Sequence, residues 1–382
     1  MIPSYINMKP KVYLTSNVFS PQEIGQNEKI QDSLRIQIEE LWNKVESNAD
    51  LKVFEGRFPT ESQLRQEVGK YSPQIIGCHL SHPISKDILE NSDIFAVSTS
   101  TAGFNHIERP IKDNIIITHT PGVLFETVAD YTIALIMANL RNLIDLHNYV
   151  WNGQWSPEEK WDLDQKLSSV IDNKVVGIVG LGEIGTELMK RLYAWNLKII
   201  YYDRYPMVEL EKLYPGLEYK ENIKDLFKEA DVVSLHVPLN SATKHMVDAD
   251  LLRIMKPKAL LVNTARGGVI KFDDLLELYE TDQIDINISF DVFPEEPLDS
   301  AILQRLKLIK ENNPGIRMIL MPHNASADAD TRGKMVIMLL EDILQIIDSK
   351  NIKDLESIHL IPPHKKKLHD EDWRIFKYWE KK

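Results

Sequence analysis

The chain has 382 residues, 43% of them apolar and 27% charged, and a formal net charge of −12 at pH 7. That length suggests two or three globular domains, and the acidic excess argues against non-specific binding to nucleic acid or to an anionic membrane. One cysteine, Cys78, allows neither an intramolecular disulfide nor a cysteine metal cluster, and it reads as a small core residue in a cytoplasmic protein.

The opening residues, MIPSYINMKPKVYL, carry no basic segment followed by a long apolar one, so no secretory signal is expected. The longest apolar stretch, Tyr131 to Leu140, lies between Asp130 and Arg141 and is too short to span a bilayer. From Lys11 to His119 short apolar runs alternate with helical patterns. Strands are expected at Lys11 to Thr15, Leu51 to Phe54, Gln74 to Cys78, Ile94 to Ser98 and Ile115 to Thr118, with amphipathic helices at Gln31 to Val45 and Glu61 to Val68. Such alternation predicts a parallel sheet covered on both faces. This half has no glycine fingerprint and is therefore the candidate substrate domain. Thr120-Pro121-Gly122 marks a break, and Val128 to Trp151 then reads as one long helix, apolar nearly all round in its first half. A helix of that kind needs burial on several sides, by crossing between domains or by forming a dimer face.

Val175, Val176, Ile178 and Val179 form a short β-branched run, as expected of a central parallel strand. Gly180, Gly182 and Gly185 follow in the pattern G-x-G-x-x-G: a tight turn, room for backbone to approach a pyrophosphate, and close helix packing. Ile184, Leu188 and Leu192 then repeat every fourth residue, so a helix N-terminus, with Glu183 and Ile184 in its first turn, points at the loop and makes an anion site. A second apolar run, Leu197 to Tyr202, ends in Asp203, about 20 residues on, where a dinucleotide fold places the acid that takes the ribose hydroxyls. That carboxylate favours NAD over NADP because it repels a 2′-phosphate, while Arg204 beside it weakens the preference.

Strands follow at Val232 to Val237, Leu260 to Asn263, Ile286 to Val292 and Met318 to Met321, with helices between them. Val237 and Pro238 leave the fourth strand of this half, where such folds line the adenine pocket. Arg332 to Ile347 is a helix that would return the chain to the first domain. Ligands in open α/β sheets sit beyond the carboxyl ends of the strands, and four polar residues occupy such positions: Arg266, Asp291, Glu296 and His323. For a 2-oxo acid they form a coherent set, with guanidinium for carboxylate and carbonyl, imidazole for proton transfer and a carboxylate to orient the imidazole. No metal is then required, and the remaining histidines, His79, His82, His236 and His245 among them, show no metal-ligand spacing.

VVGIVGLGEIG, HVPLNSATKHMV, NTARGGVI, SFDVFPEEP and MPHNAS, in this order and spacing, resemble the D-isomer-specific 2-hydroxyacid dehydrogenase family over about Pro73 to Ile347. The resemblance implies two doubly wound α/β parallel-sheet domains. A Rossmann NAD-binding domain (126–326) is inserted into a flavodoxin-like substrate domain made of 1–125 and 327–382. It implies that Arg266 binds substrate and polarises its carbonyl, that Glu296 pairs with His323, and that His323 is the acid/base. By the same likeness Asp291 faces the nicotinamide, Thr264 and Ala265 line the cofactor, and the backbone around Ala102 and Gly103 in STSTAGFNHIE holds the substrate carboxylate. The long helix after TPGV implies a homodimer.

Three residues depart from the family pattern: Asn105 and Glu108 stand where aspartates are usual, and Asn324 where an apolar residue is usual. Formate dehydrogenases of this superfamily carry glutamine at the position of Glu296, and phosphoglycerate dehydrogenases an arginine near Thr99, so a glyoxylate or hydroxypyruvate reductase using NADH is the expectation. The alternatives are an NAD-sensing regulatory protein on the same fold, or a phosphoglycerate- or formate-type dehydrogenase of the same superfamily. The tail from Asp348 lies outside the resemblance; its bases alternate with Trp373, Phe376, Tyr378 and Trp379, and it is expected to dock on its own subunit or a dimer partner.

Overall fold

Every strand described in the computed structural model pairs parallel with its neighbours, over residues 9–158, 163–380 and 382. The chain divides into two compact units, Met1–Leu124 with Ala327–Lys382, and Phe125–Ser326. Among the described residues no helix is long and apolar enough to cross a membrane.

The first unit opens with β1 (Lys11–Leu14), α1 (Asp32–Asn48), β2 (Asp50–Val53), α2 (Glu61–Tyr71), β3 (Ile75–Cys78), α3 (Lys86–Glu90), β4 (Ala96–Thr99) and β5 (Ile116–Thr118). Its sheet order is β2-β1-β3-β4-β5, the flavodoxin-like winding. Successive residues of a strand face opposite sides, and the burial follows that rule. Val12, Leu14, Ile75, Ala96 and Ile116 belong to one apolar cluster; Tyr13, Ile76, Val97 and Ile117 belong to another. Both faces are dry, so the strands read as continuous apolar runs.

The second unit contains α4 (Phe125–Leu140), α5 (Leu143–Trp151), β6 (Val175–Val179), α6 (Glu183–Tyr193), β7 (Lys198–Tyr202), α7 (Val208–Leu213), β8 (Glu218–Tyr219) and α8 (Ile223–Glu229). It continues through β9 (Val232–Leu235), α9 (Ala249–Arg253), β10 (Leu260–Asn263), α10 (Phe272–Glu280), β11 (Asn287–Phe290), α11 (Ser300–Asn312) and β12 (Met318–Leu320). The seven strands run β12-β11-β10-β9-β6-β7-β8, a Rossmann order whose direction of winding reverses between β6 and β9. Val176, Ile178, Ile199 and Val262 pack with α4 and α6 on one face, and Val179, Val233, Leu261 and Ile288 with α8 to α11 on the other.

The long helix expected over Val128 to Trp151 is two helices. Asn142 adopts a left-handed φ of +54°, which asparagine tolerates better than most residues. Arg317 caps the ending helix, its Nη1 donating to the carbonyls of Asn139 at 3.2 Å and Leu140 at 3.0 Å.

The chain returns to the first unit through α12 (Ala329–Asp348), then α13 (Pro362–Lys367) and α14 (Phe376–Trp379). The tail docks on its own unit. Leu360 bridges Thr118 antiparallel and the Ile361 N–H donates to Ile117 O at 3.0 Å, so the β5 edge is covered. Trp373 is 1% exposed within the core, with its indole N–H donated to Leu368 O, while Arg374 donates to the carbonyls of Leu89, Ser92 and Ile94. The tail is therefore part of the first unit's core. Trp373→Ala should lower stability to urea by about 3–5 kcal/mol, the usual cost of truncating a buried tryptophan; a loss below about 1 kcal/mol would show that the tail is dispensable.

Candidate active site

The glycine loop follows β6. Gly180 has φ +97°, a backbone region that side chains disfavour, and a Cβ there would lie 2.9 Å from Val237 Cγ1. A Cβ on Gly185 would sit 2.0 Å from the Gly180 carbonyl oxygen, so α6 closes on the loop only with glycine there. Gly182, the residue before α6, has open space where a side chain would stand, which leaves room for a pyrophosphate at the helix N-terminus. Glu183 is exposed and Ile184 partly buried in the first turn. Asp203 follows β7, and its Oδ2 accepts the Leu181 N–H at 2.9 Å while Oδ1 accepts the Arg204 N–H at 2.7 Å. The carboxylate is thus fixed to the loop it serves, and Arg204 itself is exposed. These residues fit a dinucleotide.

Beyond β9 come His236, Val237 and Pro238, with Val237 partly buried against Gly180 and Pro238 exposed. Nε2 of His236 pairs with Ser234 Oγ at 2.8 Å, and its Nδ1 has no partner among the described residues. Burial pulls this imidazole down to about 3, so it is neutral at ordinary pH. Beyond β10, Thr264 Oγ1 and Thr132 Oγ1 lie 3.0 Å apart, and Asn263 Oδ1 accepts the Ala265 N–H at 3.0 Å. The Asn263 amide also donates to Arg266 O at 3.0 Å, which fixes the backbone on both sides of Ala265.

Arg266, Asp291 and His323 leave the carboxyl ends of the neighbouring strands β10, β11 and β12. His323 Nδ1 and Glu296 Oε2 are 2.5 Å apart, and Glu296 Oε1 accepts the Phe293 N–H at 3.0 Å. Burial works against the Glu296 charge, yet the His323 contact, the Phe293 amide and the field of Arg266 outweigh it and hold the carboxyl below its ordinary value. Arg266 donates to the Ala265 carbonyl at 2.6 Å; burial lowers its pKa, and the Glu296 charge opposes that. Gly267 is what lets the two loops meet: a Cβ there would fall 1.9 Å from the Phe293 carbonyl carbon. With one ring nitrogen of His323 engaged by Glu296, the other is available for proton transfer.

Asp291 is fully buried. Its Oδ1 accepts the Asn324 N–H at 2.7 Å, its Oδ2 the Ala325 N–H at 2.8 Å, and its carbonyl the His323 N–H at 2.8 Å. Burial raises its pKa against the pull of those two amides. The sequence signals an acid here but not that both of its oxygens bind the histidine loop. It likewise signals Gly267 only as part of NTARGG. Ala102 and Gly103 belong to the first unit, in the loop after β4.

Residues 133–325 match the model of the D-isomer specific 2-hydroxyacid dehydrogenase NAD binding domain. A glyoxylate reductase of Thermococcus litoralis is 32% identical, covering 88% of this chain and 93% of its own length. One from Thermofilum pendens is 31% identical, covering 75% and 85%. Among solved structures, a glyoxylate reductase from Paecilomyes thermophila superposes with a TM-score of 0.72 at 23% identity, covering 93% of this chain and 99% of its own.

The neutral His236 has a measurable consequence for stability. Its folded pKa lies below the unfolded value of about 6.5, so between the two the unfolded state binds a proton that the native state does not. Its stabilising share is whole above about pH 6.5 and is lost as pH falls toward 3. Urea titrations of the apoprotein at pH 7 and pH 5 should show His236→Phe losing less stability than wild type, by about one proton in the slope; parallel losses would sink the assignment.

Proposed function

The chain belongs to the D-isomer specific 2-hydroxyacid dehydrogenase family, NAD-dependent oxidoreductases of 2-oxo and 2-hydroxy acids, and we propose that it reduces glyoxylate, hydroxypyruvate or a similarly small 2-oxo acid. The observation that carries this reading is the His323–Glu296 pair, with Arg266 on the adjoining loop, at the ends of three neighbouring strands. Bound NADH supplies the hydride to C2. Gly180, Gly182, Glu183, Ile184 and Gly185 would hold its pyrophosphate, Asp203 its ribose, Val237 and Pro238 its adenine, and Thr264, Ala265 and Asp291 its nicotinamide side. Arg266 draws electron density toward the substrate carbonyl oxygen, which makes C2 electrophilic. His323 gives a proton to that oxygen as it becomes an alkoxide, and Glu296 keeps the ring turned toward it and stabilises its cation. The substrate carboxylate is held by backbone amides around Ala102 and Gly103. The product is the D-2-hydroxy acid.

The reading extends to a cytoplasmic homodimer built on α5. That helix buries none of its own residues, and Leu143, Val150, Trp151 and the following Trp155 are each more than half exposed. An apolar, unpartnered surface of this kind is what a second copy covers. Light scattering should give twice 44.1 kDa for the wild type, and Val150→Glu with Trp151→Glu should give the single-chain mass; an unchanged mass would remove α5 from the interface.

Absorbance assays of a panel of 2-oxo acids with NADH and NADPH test activity, substrate and cofactor together. Turnover is expected with glyoxylate or hydroxypyruvate and NADH, and His323→Gln should lower kcat by at least about 10²-fold, the usual worth of a general acid. A His323→Gln rate within about twofold of wild type would dismiss the mechanism, and no turnover with any acid would favour a regulatory, NAD-binding role.

A further inference from the structure

The loop between β4 and the chain leading to β5 contains three consecutive carbonyls, each bound to a protein donor. The Thr101 carbonyl accepts the Thr120 N–H at 2.9 Å, the Ala102 carbonyl accepts from His119 Nδ1 at 2.7 Å, and the Gly103 carbonyl accepts from the Thr101 hydroxyl at 2.6 Å. All three peptide bonds are trans. In a trans peptide the C=O and the following N–H point in opposite directions. The amides of Ala102, Gly103 and Phe104 therefore face away from these donors, and none of the three donates to an acceptor among the described residues. Neighbouring amides that no protein acceptor takes up are donors an anion can use.

The donors are themselves fixed. A carbonyl only accepts, so His119 must carry its proton on Nδ1. The ring of Phe104 meets that imidazole edge-on, with centroids 5.9 Å apart and planes at 87°. His119 is 9% exposed, and its backbone N–H donates to His359 O at 2.9 Å, which ties it to the docked tail. On the other side the Thr101 hydroxyl spends its proton on Gly103 O, so it accepts from Thr99 Oγ1 at 3.0 Å. Thr99 then accepts from His106 Nε2, also at 3.0 Å. Proton directions along this chain are set by the one group that cannot donate, the Gly103 carbonyl.

We propose that His119 and Thr101 are positioning residues, which pin the Ala102 and Gly103 carbonyls so that the amides of Gly103 and Phe104 are aimed at the carboxylate of the 2-oxo acid. This rests on the substrate reading above and adds to it the side chains that set the amide directions. Neither side chain touches the substrate; both act through the peptide they hold.

His119→Phe keeps a ring against Phe104 but removes the Nδ1 donor, and Thr101→Val keeps the volume but removes the hydroxyl. His119→Asn places an amide nitrogen at nearly the reach of Nδ1. For His119→Phe and Thr101→Val, KM for the 2-oxo acid and Ki for oxamate, an unreactive carboxylate analogue, should each rise about tenfold, as for one lost hydrogen bond. The KM for NADH should stay within about twofold, and His119→Asn should return oxamate inhibition to within about threefold of wild type. A merely structural role would instead move melting temperature and both KM values together and would gain nothing from asparagine. Unchanged oxamate inhibition in His119→Phe, or no recovery in His119→Asn, would overturn the positioning role while leaving the substrate reading intact. A wild-type protein that neither turns over a 2-oxo acid nor binds oxamate in the presence of NADH would overturn that reading and the positioning role with it.

Discussion

His323 sits in the left-handed region, at φ +52°, and Asp291 holds it there. A non-glycine residue in that region costs on the order of 1–3 kcal/mol unless its surroundings fix it. Here the fixing is specific: one carboxylate binds the next two amides of the chain, and its own carbonyl binds the amide of His323. Charge-assisted hydrogen bonds of this kind are about twice as strong as neutral ones, and two on a single carboxylate define a plane. The direction of the imidazole is therefore determined by the strand beside it rather than by its own loop. Placing the histidine in this way lets Glu296 meet Nδ1 and leaves the other nitrogen for chemistry.

The rest of the site depends on the same economy of spacing. Parallel strands lie roughly 4.8 Å apart, so residues leaving neighbouring strands at the same level converge without long loops. β10, β11 and β12 are consecutive in the sheet, and Arg266, Asp291 and His323 leave them in turn. Glu296 comes from farther along its loop, and it reaches His323 because Gly267 allows the Phe293 backbone to pack directly on the loop after β10. A side chain at Gly267 would separate Arg266 from Glu296, and the carboxylate would lose the cation that helps hold it charged.

Much of this was legible in the sequence because it depends on patterns of short range. Apolar runs separated by helical periods marked two parallel sheets, and the glycine spacing with Asp203 marked the dinucleotide end of the second. Arg266, Glu296 and His323 were legible as residue types at strand ends, although their contacts were not. Features set by contacts distant in sequence stayed hidden. The break at Asn142 depends on Arg317, 175 positions away, capping the helix that ends at Leu140. The edge strand β8 has two residues, too few to show alternation. The tail's aromatic residues showed an amphipathic segment, but only the open edge of β5 decides where it docks.

The departures from the family pattern are informative for the same reason. Asn324 stands where an apolar residue is usual, yet its part in holding His323 is a backbone N–H given to Asp291, which every residue except proline supplies. Its exposed side chain is then free to vary with no cost to the clamp. Glu108, where an aspartate is usual, accepts the Lys86 N–H at 3.1 Å and gives its own amide to Ile84, so it stabilises the start of α3 and not the amide run at Ala102 to Phe104. In each unit one peptide segment is held in a single orientation by a buried donor or acceptor behind it. Asp291 does this for the histidine loop and His119 with Thr101 for the loop after β4, and a residue that presents only its backbone can differ without disturbing the peptide it belongs to.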